Sequence, residues 1–207
     1  SVLAQLVGVA QRRNLYLLSD ECYDRIVFDG EHVSPASLCD DGRVISAFSF
    51  SKTYAMTGWR VGYVVAEPGV ADSIVKVLES NSSCVAEVSQ RAAEAALDGP
   101  QEPVLAMVNA YRRRRDLCVE QLEAADLPAV RPGGAFYIMA DVRQAGAGSR
   151  ELALRLVREA GVAVAPGAAF GRVAEGQVRI SLASSEDDLR EGIARIAAYV
   201  HESAGHR

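Results

Sequence analysis

The sequence predicts an α/β protein made of part of a mixed sheet followed by a small α+β domain. Leu15–Asp20 is a short apolar run that ends in an acid, which is typical of a strand buried on both faces of a partly parallel sheet. Two further strand-like runs, 43–49 and 61–66, are joined by a segment too short for a parallel crossover, so they are expected to pair antiparallel. Beyond them the pattern alternates between helix and strand around one long helical segment.

The elements of the first domain follow from periodicity and turn residues. Apolar residues at helical spacing predict helices over 2–11, 70–79 and 86–97, and polar turns separate the strands. Asp98 is followed by Gly99 and Pro100, which cannot continue a helix. We therefore expect a domain boundary near Asp98, with residues 1–98 in the first domain.

Residues 99–207 are expected to form a long linking helix and a small α+β domain. The helix is predicted from 102 to about 125. Alternating and periodic apolar residues then predict strands over 135–140, 162–165 and 178–182 and helices over 149–160 and 185–201.

Composition limits the classes of partner and compartment. The 207 residues include 22 Lys and Arg against 27 Asp and Glu, and the net charge of −5 makes nucleic acid a poor partner. No apolar run is long enough to span a membrane. The four cysteines are widely spaced and the three histidines form no pair, so we expect reduced thiols, no metal site and a cytoplasmic protein.

Lys52 stands out chemically. The chain has only two lysines, Lys52 and Lys76, and otherwise uses arginine as its cation. Arginine stays protonated, whereas a desolvated lysine can lose its proton and attack a carbonyl group. Lys52 also lies in the most aromatic stretch of the chain. Taken alone, an isolated lysine of this kind is more often a solvated lysine beside a hydrophobic loop.

The residues around Lys52 resemble a known family pattern. Ser49-x-Ser51-Lys52 followed by Gly58-x-Arg60-x-Gly62 is similar to the pyridoxal-phosphate attachment pattern of class I/II aminotransferases. The sequence from Ser51 to Tyr63 resembles the bacterial aspartate aminotransferase branch. Similar family elements are the Asp20-x-x-Tyr23 pattern and the segments 131–137, 161–167 and 178–181. The resemblance implies the aspartate aminotransferase-like fold of pyridoxal-phosphate enzymes, with pyridoxal 5'-phosphate as cofactor.

The resemblance also implies catalytic roles for three residues. Asp20 would pair with the pyridine nitrogen of the cofactor and keep it protonated, and Tyr23 would donate to the ring oxygen. Lys52 would form the resting Schiff base and then move the substrate α-proton. The structural alternatives are an acid that caps a turn for Asp20 and a packed core tyrosine for Tyr23.

Three further residues would bind anionic groups. The resemblance implies that Arg60 and the Ser49 hydroxyl bind the cofactor phosphate, for which a planar guanidinium is well suited. It assigns the α-carboxylate of the substrate to Arg179. A buried structural salt bridge is the alternative for Arg179, since a charge within a strand needs a partner.

The family pattern is longer than this chain, which resembles its carboxyl half, and the resemblance implies that residues 1–98 are the carboxyl-terminal part of the cofactor-binding large domain. We therefore expect that the amino-terminal half of the same polypeptide is missing and that the protein forms a homodimer. The expected substrates are an amino acid and a 2-oxo acid, and only the likeness to the aspartate aminotransferase branch favours aspartate as the amino acid. Three strands with a small domain would leave a sheet edge and an apolar face uncovered. Two alternatives stay open: a carbon–sulfur lyase of the same fold, and a non-catalytic fragment that lacks half of the site.

Overall fold

A computed structural model describes residues 1–205 of the chain, which divide into two compact units. The first unit spans Ser1–Leu105, and the second begins at Ala106. Within the described residues, no helix combines the length and the apolar character needed to cross a lipid bilayer. The domain boundary expected near Asp98 stays a prediction.

The first unit contains a three-stranded sheet and several helices. Its strands are β1 (Leu17–Asp20), β2 (Val44–Ser49) and β3 (Gly62–Val65). Its α-helices are α1 (Val2–Arg12), α2 (Phe50–Thr53), α3 (Pro68–Asn81) and α4 (Glu87–Asp98). The long helix α5 (Glu102–Ala124) begins in this unit, and most of its residues belong to the second. Short 3-10 turns lie at Pro35–Leu38 and Thr57–Trp59.

The sheet of the first unit is mixed, as expected. Its order is β1-β2-β3, with β1 parallel to β2 and β3 antiparallel to β2. Asp20 pairs with Ala47, and Ser49 pairs with Gly62. The carboxyl ends of β1 and β2 and the amino end of β3 therefore lie at one edge of the sheet.

The second unit is a small α+β domain. Its sheet has the order β4-β6-β5, with antiparallel pairs throughout. The predicted helix 149–160 is α-helical only as far as Arg155 and continues as a π-helix. The predicted strand 162–165 is wrong except at Ala165, because the observed strand covers only Ala165–Pro166. The elements are β4 (Tyr137–Asp141), α6 (Ser149–Arg155), the π-helix Leu156–Ala160, β5 (Ala165–Pro166), β6 (Gln177–Ser181) and α7 (Glu186–Gly205).

The expectation that β1 is buried on both faces is wrong for this chain. Leu18 is 70% exposed, and the apolar residues just before the strand are also exposed. Within the described residues β1 is an edge strand, and no helix covers the face that Leu18 occupies. All four residues of β3 are exposed as well. The apolar sequence of these strands thus exceeds the burial that residues 1–205 provide.

Candidate active site

One edge of the first sheet is formed by the carboxyl ends of β1 and β2. Around this edge lie four of the predicted cofactor-binding residues: Asp20, Ser49, Lys52 and Arg60. Asp20 ends β1, and Ser49 ends β2. Lys52 lies in α2, directly after β2, and Arg60 precedes β3. In open α/β sheets the carboxyl edge of the strands is where ligands bind. The topology therefore brings residues forty positions apart in sequence to one edge.

The pKa of the Cys22 thiol depends on two charged groups at this edge of the sheet. Burial raises the pKa of Cys22 to about 11, and a hydrogen bond to Asp20 together with its negative charge adds to this rise. The charge of Lys52 acts on the same pKa in the opposite direction. The Cys22 N–H also donates a hydrogen bond to Asp20 Oδ1 at 3.2 Å, so the acid is in direct contact with this residue.

Local packing fixes the short helix that carries Lys52. The Ser49 hydroxyl caps α2 by accepting a hydrogen bond from the Ser51 N–H at 3.2 Å. Phe50 is buried in a hydrophobic cluster that also contains Met56, Val61 and Ala93. The apolar side of α2 therefore faces the core, and Lys52 is left half-buried.

A buried hydrogen bond ties α2 to the turn after β1. The hydroxyl of Thr53, which is 2% exposed, donates to Asp24 Oδ1 at 3.1 Å. Asp24 follows Tyr23, and the backbone C=O of Tyr23 accepts a hydrogen bond from the Ile26 N–H. This contact links the element that carries Lys52 to the turn that carries the half-buried Tyr23.

Arg60 stands in an unusual backbone conformation. Its φ of 52° and ψ of 49° are left-handed, a state that costs a residue other than glycine on the order of 1–3 kcal/mol. Its guanidinium donates to the Thr57 C=O at 3.0 Å and is otherwise exposed. Surrounding structure must stabilise this conformation, which directs an arginine fork toward solvent at the edge of the sheet.

Arg179 lies in the second unit, in β6. Its guanidinium carbon is 4.0 Å from the centre of the Tyr137 ring and 4.3 Å from that of Phe170. Within residues 1–205 no acidic side chain forms an ion pair with it, unlike in the structural salt bridge considered above. Two aromatic contacts orient a guanidinium plane and leave its N–H edge for a planar anion.

The residues present fit pyridoxal phosphate. Lys52 offers an amine, Asp20 an exposed carboxylate for a ring nitrogen, and Arg60 an exposed guanidinium for a phosphate. The Ser49 hydroxyl, which accepts from a backbone amide, keeps its own proton for donation to an anion. These groups belong to the first unit and share one edge of its sheet.

Two findings together define the class of protein. The first is the mixed sheet with a lysine just beyond its central strand, and the second is a family match over most of the sequence. Residues 2–196 match the family Aminotransferase class I and II. The chain belongs to this family.

Relatives with different substrates in their names resemble the chain to a similar degree. It is 40% identical over 206 residues to the arginine–pyruvate transaminase of Pseudomonas aeruginosa, and the matched region covers 97% of this chain and 51% of that protein. It is 40% identical over 200 residues to the aspartate/prephenate aminotransferase of Thermus thermophilus, covering 95% of this chain and 51% of that one.

A solved structure supports the fold over the same range. The crystal structure of the aromatic aminotransferase from Pyrococcus horikoshii matches with a TM-score of 0.91 at 37% identity, covering 97% of this chain and 55% of that chain. The present chain thus has the aspartate aminotransferase-like fold. It spans about half the length of the curated relatives that it matches.

The sequence did not indicate two groups of residues that the structure brings to the site. Thr53 and Asp24 lie 29 positions apart, and Glu21 contacts His32 and Ser34, eleven and thirteen positions away. Only Glu21 carried a local signal, because it stands between two candidate residues. No periodicity or spacing marks the others.

Proposed function

We propose that this chain supplies the lysine-bearing half of a pyridoxal-phosphate-dependent aminotransferase, which moves an amino group between an amino acid and a 2-oxo acid. One observation carries the proposal: in a member of this family, β1 ends at Asp20 beside the parallel strand β2, which runs directly into the helix that carries Lys52. A ring held by the acid could therefore reach the amine.

The chain's own residues would divide the chemistry. When bound, pyridoxal phosphate supplies an electron-withdrawing ring that stabilises the charge left when an amino acid loses its α-proton. Asp20 would keep the ring nitrogen protonated, and Tyr23 would donate to the ring oxygen. Lys52 would hold the cofactor covalently at rest and would then carry the proton from the substrate α-carbon.

The anionic groups would bind at the arginines. Arg60 and Ser49 would hold the phosphate, and the fork of Arg179 would pair with the substrate α-carboxylate through two parallel hydrogen bonds. The two aromatic rings that contact the half-buried Arg179 support this role, because they hold its guanidinium plane in place. A carboxylate is common to all amino acids, so this contact selects the class of substrate and not its side chain; aspartate is one candidate.

We further propose that the active form is a cytoplasmic homodimer in which an amino-terminal half of the same polypeptide completes each site. The exposed apolar strands of the first unit support the second part of this proposal. The length of the relatives, about twice the matched region, supports it as well.

Borohydride reduction in the presence of pyridoxal phosphate tests the proposal. Mass spectrometry should find the reduced cofactor on the peptide that contains Lys52, and Lys52→Ala should lose this label. Lys76→Ala is the matched control, since Lys76 is the other lysine and lies exposed on α3. Turnover of an amino acid with a 2-oxo acid should fall by at least about 10²- to 10⁴-fold in Lys52→Ala only.

Two results would contradict the proposal. A colourless protein that takes up no label at Lys52, alone or with the completing half, would favour the non-catalytic alternative. Release of pyruvate and ammonia from cystathionine without a 2-oxo acid acceptor would favour the carbon–sulfur lyase, which uses the same residues.

A further inference from the structure

Glu21 is a buried acid that the proposed chemistry does not use. It lies between Asp20 and Cys22 and is only 3% exposed, although Asp20 itself is exposed. Burying a carboxylate is costly unless hydrogen bonds replace the lost water. The neighbours of Glu21 therefore need an explanation.

Side chains from the loop after the turn and from β2 surround the Glu21 carboxylate. Glu21 Oε2 lies 2.6 Å from His32 Nε2, and Glu21 Oε1 accepts from the Ser34 hydroxyl at 2.8 Å. Burial acts to raise the pKa of Glu21, but hydrogen bonds from Ser46, His32 and Ser34 outweigh it and lower the pKa below its ordinary value. The acid is thus ionised near neutral pH, and His32 Nε2 must be the donor.

The backbone of Glu21 is held as firmly as its side chain. Its N–H donates to the Ala47 C=O of β2 at 2.8 Å, and its own C=O accepts from the Asp24 N–H at 3.1 Å. The Cys22 N–H donates to Asp20 Oδ1 at 3.2 Å. Glu21 is therefore the residue at which β1 turns into the segment that carries Tyr23.

A buried charge of this kind fixes the orientation of the groups around it more than it stabilises the fold. Replacing a buried ionic group with apolar residues is often neutral or stabilising, so such a group is weak evidence for a stabilising role. Hydrogen bonds from several sides, however, allow a carboxylate only one orientation. The rotamer of Glu21, and with it the turn on either side, is fixed by the loop that carries His32 and Ser34.

We propose that Glu21 is a positioning residue: held by His32, Ser34 and Ser46, it fixes the turn between Asp20 and Tyr23 and so sets the distance between the acid and the phenol. The catalytic consequence rests on the proposed function above, whereas the effect on the turn does not. His32 and Ser34 contact the Glu21 carboxylate and would act on the site through it.

Hydrogen exchange tests the effect on the turn. In the 207-residue chain, Glu21→Gln and Ser34→Ala should each speed exchange of the amides of Cys22 and Asp24 by about tenfold, because a hydrogen bond to a charged group is worth at least that factor in an equilibrium constant. Ser34→Thr keeps a hydroxyl and should restore slow exchange. Glu31→Gln, an exposed acid beside His32, removes the same charge and should leave the exchange rates unchanged.

A spectroscopic measurement tests the effect on the site. In the protein loaded with pyridoxal phosphate, the pH midpoint of the cofactor absorbance should move in Glu21→Gln and Ser34→Ala and stay in place in Glu31→Gln and Ser34→Thr. A structural role alone would weaken folding without moving this midpoint.

Failures of the two proposals are distinguishable. Unchanged exchange at Cys22 and Asp24 in both variants would overturn the positioning role of Glu21, whatever the cofactor does. Faster exchange with an unmoved midpoint would overturn its connection to the site. If the unmodified protein takes up no cofactor, the proposed function fails, and the exchange result still decides whether Glu21 holds the turn.

Discussion

At the scale of single residues, the pKa of the Cys22 thiol depends on both the acid and the amine of the candidate site. Its thiol lies where the charges of Asp20 and Lys52 both reach, and the two charges act on its pKa in opposite directions. The reactivity of a cysteine depends on its thiolate fraction, which follows that pKa. The thiol is therefore a natural probe of whether the acid and the amine share one location.

We predict opposite effects of two substitutions on the alkylation of Cys22. Asp20→Asn should lower the pKa of Cys22 and speed its reaction with iodoacetamide by about three- to tenfold at mildly alkaline pH, whereas Lys52→Met should slow it. Peptide mass spectrometry resolves Cys22 from the exposed Cys84, whose rate should not change. Equal rates at Cys22 in all three proteins would show that these charges do not meet at the thiol.

The site residues that could be predicted from the sequence are those that stand in a motif with fixed spacing. Lys52, Arg60 and Asp20 stand in patterns that resemble a family, and each is a residue type whose chemistry can be argued in isolation. Glu21 and Thr53 could not be predicted, because their meaning depends on hydrogen-bond partners that only the fold brings near. Their roles are relations between side chains and leave no local pattern.

At the scale of elements, the close pairing of β2 and β3 depends on a glycine. A Cβ at Gly62 would lie 2.5 Å from the backbone oxygen of Phe48, closer than any real contact, and a backbone atom cannot move aside cheaply. Gly62 pairs with Ser49, the residue that caps the helix carrying Lys52. Gly58, four residues earlier, has open space where its Cβ would be.

Gly62→Ala should therefore loosen this part of the sheet, and Gly58→Ala should not. We expect the free energy of local opening across β2 and β3 to fall by about 1–3 kcal/mol in Gly62→Ala, because the overpacked backbone must shift. In Gly58→Ala the change should stay within about 0.5 kcal/mol. Hydrogen exchange of peptides from 44–65 measures both, and equal protection in the two variants would contradict the prediction.

The elements themselves show what local rules can and cannot give. The antiparallel pairing of β2 with β3 was predicted from the length of their connection and is confirmed. The four-residue helix α2 was not predicted, because one turn is too short to show periodicity. It is stabilised by its local Ser49 cap and by the burial of Phe50 in the core, and the second of these is a tertiary effect.

At the scale of the whole chain, the sequence carries more apolar surface than residues 1–205 bury. Leu18 of β1 and Val64 and Val65 of β3 are between 46% and 70% exposed, on the two edge strands of the first sheet. An unprotected edge strand with apolar side chains can pair with another chain. Either edge strand, β1 or β3, would also be a suitable neighbour for further strands of a larger domain.

We expect the 207-residue chain alone to associate through β3 as its concentration rises. Val65→Lys places a charge on this edge strand and should reduce association, since a strand with an inserted charge pairs poorly. Val173→Lys is the matched control: it adds the same charge at a site that is 94% exposed in a short turn of the second unit, and it should change nothing. Analytical ultracentrifugation measures the mass distribution of all three proteins. If the unsubstituted chain stays monomeric, melts cooperatively and binds pyridoxal phosphate tightly, then its apolar strands need no further cover, and the proposal of a missing half fails with this prediction.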